Sequence, residues 1–208
     1  MDALRLHNAL EWVERETNLS TKQSRMLSNG EQGLLLQAFS MMVRPTNILE
    51  LGTFTGYSTL CLSRGLKEGG SIDTVEIYDE LEDIILEGFR KGGLIDLPGR
   101  ENIAHLHIGD AHNIVPTLDK EYDIVYIDAN KREYIEYYNL VFPKVRKGGY
   151  ILADNVLWSG KVLLDSPPKD AQTQSIIAFN QMVEKDERVE NVILPVRDGI
   201  NVIYKITL

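Results

Sequence analysis

An α/β fold is predicted for this chain: a mostly parallel sheet that ends in an antiparallel hairpin and is preceded by helices. Three observations carry that expectation. From residue 47 onward, short apolar runs alternate with amphipathic segments, as in successive βαβ units. Ahead of them, the first 45 residues repeat apolar positions at helical spacing and stop at Pro45. At the far end, the runs 189–196 and 200–206 flank Asp198-Gly199, a residue pair suited to a hairpin turn.

The elements follow in order. Leu6, Leu10 and Val13 recur between charges and mark the first helix. Ser28-Asn29-Gly30-Glu31 reads as a capping box, opening a second helix to about Val43. Strands are expected at 48–51, 72–77, 103–108, 122–127 and 150–153, with helices at 57–66, 79–91, 112–118, 133–145 and 171–184. The 208 residues read as one domain, in which 1–45 form a helical extension and 46–208 the core.

Composition narrows the function. With 22 Lys and Arg against 31 Asp and Glu, the net charge is −9, and no basic patch offsets it, so a nucleic-acid partner is disfavoured. Cys61 is the only cysteine, which excludes an internal disulfide and a cysteine metal cluster. The first residues lack a long apolar run of the secretory kind, and the most apolar stretch, 34–43, is too short to span a bilayer. A cytoplasmic protein without a membrane partner is expected.

The first strand runs into Glu50-Leu51-Gly52-Thr53-Phe54-Thr55-Gly56-Tyr57-Ser58. In α/β sheets ligands gather beyond the carboxyl ends of the strands. Gly52 and Gly56 allow a tight turn and close approach of backbone to a ligand. Ser58 and the amides opening the next helix can donate to polar groups, and Glu50 offers a carboxylate to an ammonium. A phosphate-gripping loop needs Gly-Lys-Ser/Thr after its glycines, and a dinucleotide loop needs a middle glycine where Thr stands. S-adenosylmethionine has no phosphate and carries a sulfonium cation and an amino-acid head, which suit acidic neighbours better. Glu76, ending the second strand, places a carboxylate for two ribose hydroxyls, and Gly109-Asp110-Ala111 follows the third strand, where adenine would lie. The competing reading is a turn that merely packs helix on sheet, with solvated glutamates.

Asp128 ends the fourth strand, and Asp154 with Asn155 ends the fifth, on the same rim as the glycine loop if neighbouring strands are parallel. Two carboxylates and an amide are hard oxygen donors of the kind Mg²⁺ prefers. Lys131 stands beside them as a base or charge partner. The alternative is that these aspartates cap helices or pair with Lys131, with no metal. His105 and His107 share a strand face but lack a third ligand. His112 lies near the expected adenine site, Tyr134 is close enough to Lys131 to face the site, and Trp158 can wall an aromatic substrate pocket.

At these residues the sequence resembles the class I S-adenosylmethionine-dependent O-methyltransferases, specifically the cation-dependent catechol and caffeoyl-coenzyme A group. The resemblance runs from Met26 to Lys205. It passes through Glu31-Gln32-Gly33, residues 50–58, Glu76, Gly109-Asp110-Ala111, 128–131, Tyr134, 153–160 and Asp198-Gly199. It implies a Rossmann-like seven-stranded methyltransferase sheet. It also implies cofactor contacts at Ser28, Glu50, Gly52, Thr53, Tyr57, Ser58, Glu76, Asp110, Ala111 and Asp128, metal ligation by Asp128, Asp154 and Asn155, catalysis by Lys131 with Asp128, and substrate contacts at Tyr134 and Trp158. The chain departs from the family pattern at Asn130, where aspartate is usual, and at Arg197, where glycine is usual.

The expected reaction is methyl transfer from S-adenosylmethionine to one hydroxyl of a catechol-like small molecule, assisted by a divalent cation, Mg²⁺ first and Mn²⁺ or Ca²⁺ as substitutes. The alternatives are a non-catalytic S-adenosylmethionine-binding protein and a nicotinamide-dependent dehydrogenase. The N-terminal helices carry more apolar surface than one sheet needs, and the resemblance implies a homodimer.

Overall fold

A computed structural model describes residues 2–28, 30–99 and 101–206. The chain divides into two compact units, Met1–Asp110 and Ala111–Leu208. The sheet has seven strands, numbered along the chain, in the order β3-β2-β1 within the first unit and β4-β5-β7-β6 within the second. Among the described residues no helix is long and apolar enough to cross a membrane.

The first unit opens with α1 (Ala3–Ser20), started by Asp2, whose side chain accepts the Leu4 N–H at 3.1 Å. Then come α2 (Glu31–Val43), β1 (Asn47–Leu51), α3 (Tyr57–Ser63), β2 (Ser71–Glu76), α4 (Glu82–Gly92) and β3 (Ala104–Ile108). β1 and β3 pair in parallel with β2, in registers Leu51↔Val75 and Glu76↔Ile108. Ile48, Leu49, Leu51, Leu60, Ile72, Ile85 and Phe89 are buried together with the helix faces above them. The capping box expected at Ser28 does not form. Gly30 takes the cap position with φ 61, no side chain caps the helix start, and Ser28 is left buried two residues upstream. Asn29 lies outside the described residues. Pro45 ends α2 as expected: Arg44 turns left-handed, φ 50, and its N–H donates to Ser40 O at 2.8 Å.

The second unit contains α5 (Ala111–Ile114), β4 (Tyr122–Ile127), α6 (Tyr134–Val141), β5 (Val145–Asp154), α7 (Ala171–Glu184), β6 (Val189–Leu194) and β7 (Ile200–Lys205). β4 and β5 are parallel, whereas β7 runs antiparallel to both β5 and β6. The expected hairpin is present, but residues 195–199 connect its strands in place of a two-residue Asp-Gly turn. Within that connection Gly199 is left-handed, φ 83, and donates to Val196 O at 3.0 Å. Tyr134 and Tyr138 on α6 meet Phe179 on α7 edge-on, at centroid distances of 5.4 and 6.2 Å.

Candidate active site

In the first unit the candidate site is the turn from β1 to α3. Gly52 and Gly56 hold φ of 95 and 86, which a side chain would resist. The Gly52 and Thr53 N–H groups both donate to Val75 O, at 2.9 and 3.2 Å, so β2 shapes the turn. Phe54 is left-handed at φ 51, and its N–H donates to Glu76 Oε2 at 2.7 Å. The Tyr78 N–H donates to Glu76 Oε1 at 3.0 Å. Burial raises the pKa of this carboxyl, against the lowering effect of the Tyr78 and Phe54 N–H groups. Glu76 is thus a desolvated acceptor fixed at both oxygens beside the loop.

Glu50 differs from expectation. It is not open at the strand end but wholly buried, and the hydroxyls of Thr59 and Thr74 donate to its Oε2, the latter at 2.6 Å. The Thr53 and Thr74 hydroxyls lie 2.5 Å apart. Because Thr74 gives its one proton to Glu50, Thr53 is the donor to Thr74. This chain of hydroxyls ties the loop to the buried Glu50 carboxyl. Tyr57 and Ser58, the first residues of α3, are both buried, and burial pushes the Tyr57 hydroxyl up to about 12. Asp110 is exposed, and Ala111 is the buried first residue of α5.

In the second unit the register Ile127↔Ala153 puts Asp128 and Asp154 at neighbouring strand ends. Asp154 is buried; its Oδ2 accepts the Tyr126 hydroxyl at 2.8 Å and its Oδ1 the Asn155 N–H at 2.7 Å. Burial and then the negative charge of Asp128 push its carboxyl up to about 7, with Lys131 and Tyr126 opposing. Lys131 Nζ lies 2.5 Å from Asp128 Oδ1 and donates to the Tyr134 hydroxyl at 2.7 Å. Asn130 opens this turn: its Oδ1 accepts the Arg132 N–H at 3.2 Å and its Nδ2 donates to Glu133 Oε1 at 2.8 Å. Asn155 follows with φ 57. Two carboxyl groups and one amide at neighbouring strand ends are hard oxygen donors, and this donor set fits a hard cation. Among the described residues no three His, Cys, Asp or Glu gather to hold an ion, as expected when the third donor is an asparagine.

The O-methyltransferase family matches residues 2–206. The chain belongs to this family. A catechol O-methyltransferase from Niastella koreensis is 35% identical over 167 residues, covering 78% of this chain and 72% of that protein. A caffeoyl-CoA O-methyltransferase from Populus trichocarpa is 29% identical over 209 residues, covering 92% and 80%. An O-methyltransferase from Streptomyces achromogenes involved in tomaymycin synthesis, solved in complex with S-adenosylmethionine, has a TM-score of 0.83 at 26% identity. Its alignment covers 100% of this chain and 92% of that one.

In this O-methyltransferase the structure brings Asp128, Lys131, Asp154 and Asn155 together, and Gly52, Thr53 and Glu76 together. Tyr134 lies against Lys131, the neighbour its spacing predicts. Its side chain is fully buried, and its hydroxyl donates to Asp154 O at 2.8 Å while accepting from Lys131, so it reaches a substrate only through Lys131. Trp158 is half-buried at φ 48, with Lys161 Nζ 5.7 Å from its ring centroid and its indole N–H without a partner. His107 is engaged by Asp73 at 3.0 Å and is no ligand candidate. Thr59, Thr74 and Tyr126 escape the sequence reading. Only Tyr126 left a signal: two residues before Asp128 on a strand, it must share that face.

Proposed function

We propose that this S-adenosylmethionine-dependent O-methyltransferase methylates one hydroxyl of a vicinal diphenol with the help of a divalent cation. The carrying observation is the Asp128–Lys131–Asp154–Asn155 cluster, in which a buried carboxyl is raised to about 7 beside a second carboxylate. Gly52, Thr53, Ser58 and Glu76 bind the cofactor: the loop amides and Ser58 meet its polar groups, and Glu76 takes the ribose hydroxyls. Glu50 fixes the loop through Thr74 and Thr53. Asp128, Asp154 and Asn155 hold the cation, Mg²⁺ or a similar hard ion, which when bound supplies Lewis acidity to a phenol. Lys131, held by Asp128 and Tyr134, stabilises the developing phenolate with its positive charge, and the phenol proton leaves to water. The phenol oxygen forms its bond to the methyl carbon as the carbon–sulfur bond breaks, leaving S-adenosylhomocysteine. Trp158 lies against the acceptor ring. The protein acts in the cytoplasm as a two-fold homodimer.

A catechol panel with mass detection of the methylated product tests this reading. Chelation is expected to abolish transfer while leaving S-adenosylhomocysteine affinity within about threefold, since Glu76 and the loop bind without the ion. Full turnover by chelated protein would remove the metal role.

A further inference from the structure

We propose that α1 is a working part of the cofactor site, with Thr17 as the positioning residue that holds Thr55 and through it the Gly52–Gly56 loop. The inference rests on reading that loop as the S-adenosylmethionine turn. Thr17 and Thr55 are both wholly buried. Thr17 Oγ1 lies 2.6 Å from Val13 O and 2.8 Å from Thr55 Oγ1. A threonine hydroxyl has one proton, and a carbonyl has none. Thr17 therefore gives its proton to Val13 O, and Thr55 donates to Thr17. The hydroxyl in the middle of the loop is thereby committed to a helix 38 residues earlier in the chain.

That helix is held in place independently of the loop. Arg5, Ala9, Val13 and Thr17 recur four apart along α1 and so form one stripe. Arg5 Nε and Nη2 donate to Lys91 O and Arg90 O, at 2.8 and 2.7 Å, at the C-terminal end of α4. A Cβ on Gly88 would stand 2.8 Å from Val13 Cγ2, so α1 approaches α4 closely where α4 has no side chain. Thr17 continues the stripe one turn nearer the loop, and its own contact is what holds Thr55. The neighbouring residue, Phe54, is left-handed and gives its N–H to Glu76, the group assigned to the ribose. Freeing Thr55 releases the peptide that orients Glu76.

Calorimetric titration of S-adenosylhomocysteine into folded variants tests the coupling. Thr17→Val should weaken binding about five- to tenfold, the effect of one net hydrogen bond, and Thr17→Ser should restore it. Arg5→Ala, which loosens α1 away from the loop, should lower the melting temperature and leave affinity within about twofold. Equal binding by Thr17→Val, or equal weakening by Arg5→Ala, would overturn the proposal. Hydrogen exchange on the unaltered protein gives an arm that does not depend on variants folding. Saturating S-adenosylhomocysteine should slow exchange of the Thr21 amide, which donates to Thr17 O at 3.1 Å, and unchanged exchange also counts against the coupling. If the unaltered protein binds no S-adenosylhomocysteine, the cofactor reading itself falls; if it binds and Thr17→Val binds equally well, only the coupling falls.

Discussion

Tyr134 has one hydroxyl proton, and it goes to the Asp154 carbonyl at 2.8 Å, with Ile127 O at 3.2 Å sharing it weakly. The lone pair left over points to Lys131 Nζ. Burial first, and then the charges of Asp128 and Asp154, raise the Tyr134 hydroxyl well above its ordinary pKa, so it stays neutral and keeps this donor–acceptor polarity. Tyr134→Phe keeps the ring against Phe179 and removes the bond to Lys131. The expected outcome is a roughly tenfold fall in kcat, with S-adenosylhomocysteine affinity unchanged by titration calorimetry, as for loss of a bond to a charged group. An unchanged kcat would show that Asp128 alone places Lys131. Asp128, Lys131 and Asp154 were legible in the sequence because strand ends alternate with helices in fixed order. Tyr134 was legible as a neighbour of Lys131, but its bond to the Asp154 carbonyl was not, because that partner lies 20 residues away and spacing carries no side-chain direction.

The strands β1 to β4 were legible to within a residue, and α7 matches its expected range of 171–184 at both ends, whereas α3 and α6 stop three and four residues short of theirs. β5 was legible only at 150–153, although it runs Val145–Asp154. Its first half contains Arg146, Lys147, Gly148 and Gly149, and its register with β4 jumps from Tyr122↔Val145 to Ile124↔Tyr150. A bulge accommodates the polar and glycine residues, so alternation fails there. Asp186 shows how the end of α7 is secured. Its carboxylate accepts the Tyr138 hydroxyl at 2.9 Å and the Arg188 guanidinium at 2.8 and 2.7 Å. The Arg188 bonds are the main cause that lowers its pKa to about 2. An unfolded aspartate titrates near ~3.9, so the folded state holds this proton less readily. The stabilisation is therefore full above about pH 4 and is lost as pH falls through about 2. Asp186→Asn should cost about 1–2 kcal/mol at neutral pH, a figure kept low because Arg188 is half exposed. The variant should also show a flatter denaturation midpoint between about pH 4 and pH 2, and a parallel pH profile would exclude the ion pair as the cause.

The state of the whole molecule turns on α2. Leu34, Met41 and Met42 are exposed by 66%, 43% and 74%, and the spacing 34, 38, 41, 42 places them with Ala38 on one face of that helix. A single exposed leucine means little, but a contiguous apolar stripe on a charged chain is the face on which the proposed homodimer is to be tested. A net charge of −9 on each copy opposes association, so a dimer must draw its stability from apolar burial and should tighten as salt screens the repulsion. Two-fold pairing through this face is self-complementary, because the same stripe is presented by both copies. Light scattering should give twice 23.6 kDa, with the dimer favoured further by added salt. Leu34→Glu with Met42→Glu adds charge at both ends of the stripe and should yield monomers that still bind S-adenosylhomocysteine, because neither residue belongs to the loop or to Glu76. A unaltered protein of monomer mass at tens of micromolar would refute pairing, and a double variant that remains dimeric would move the interface off α2.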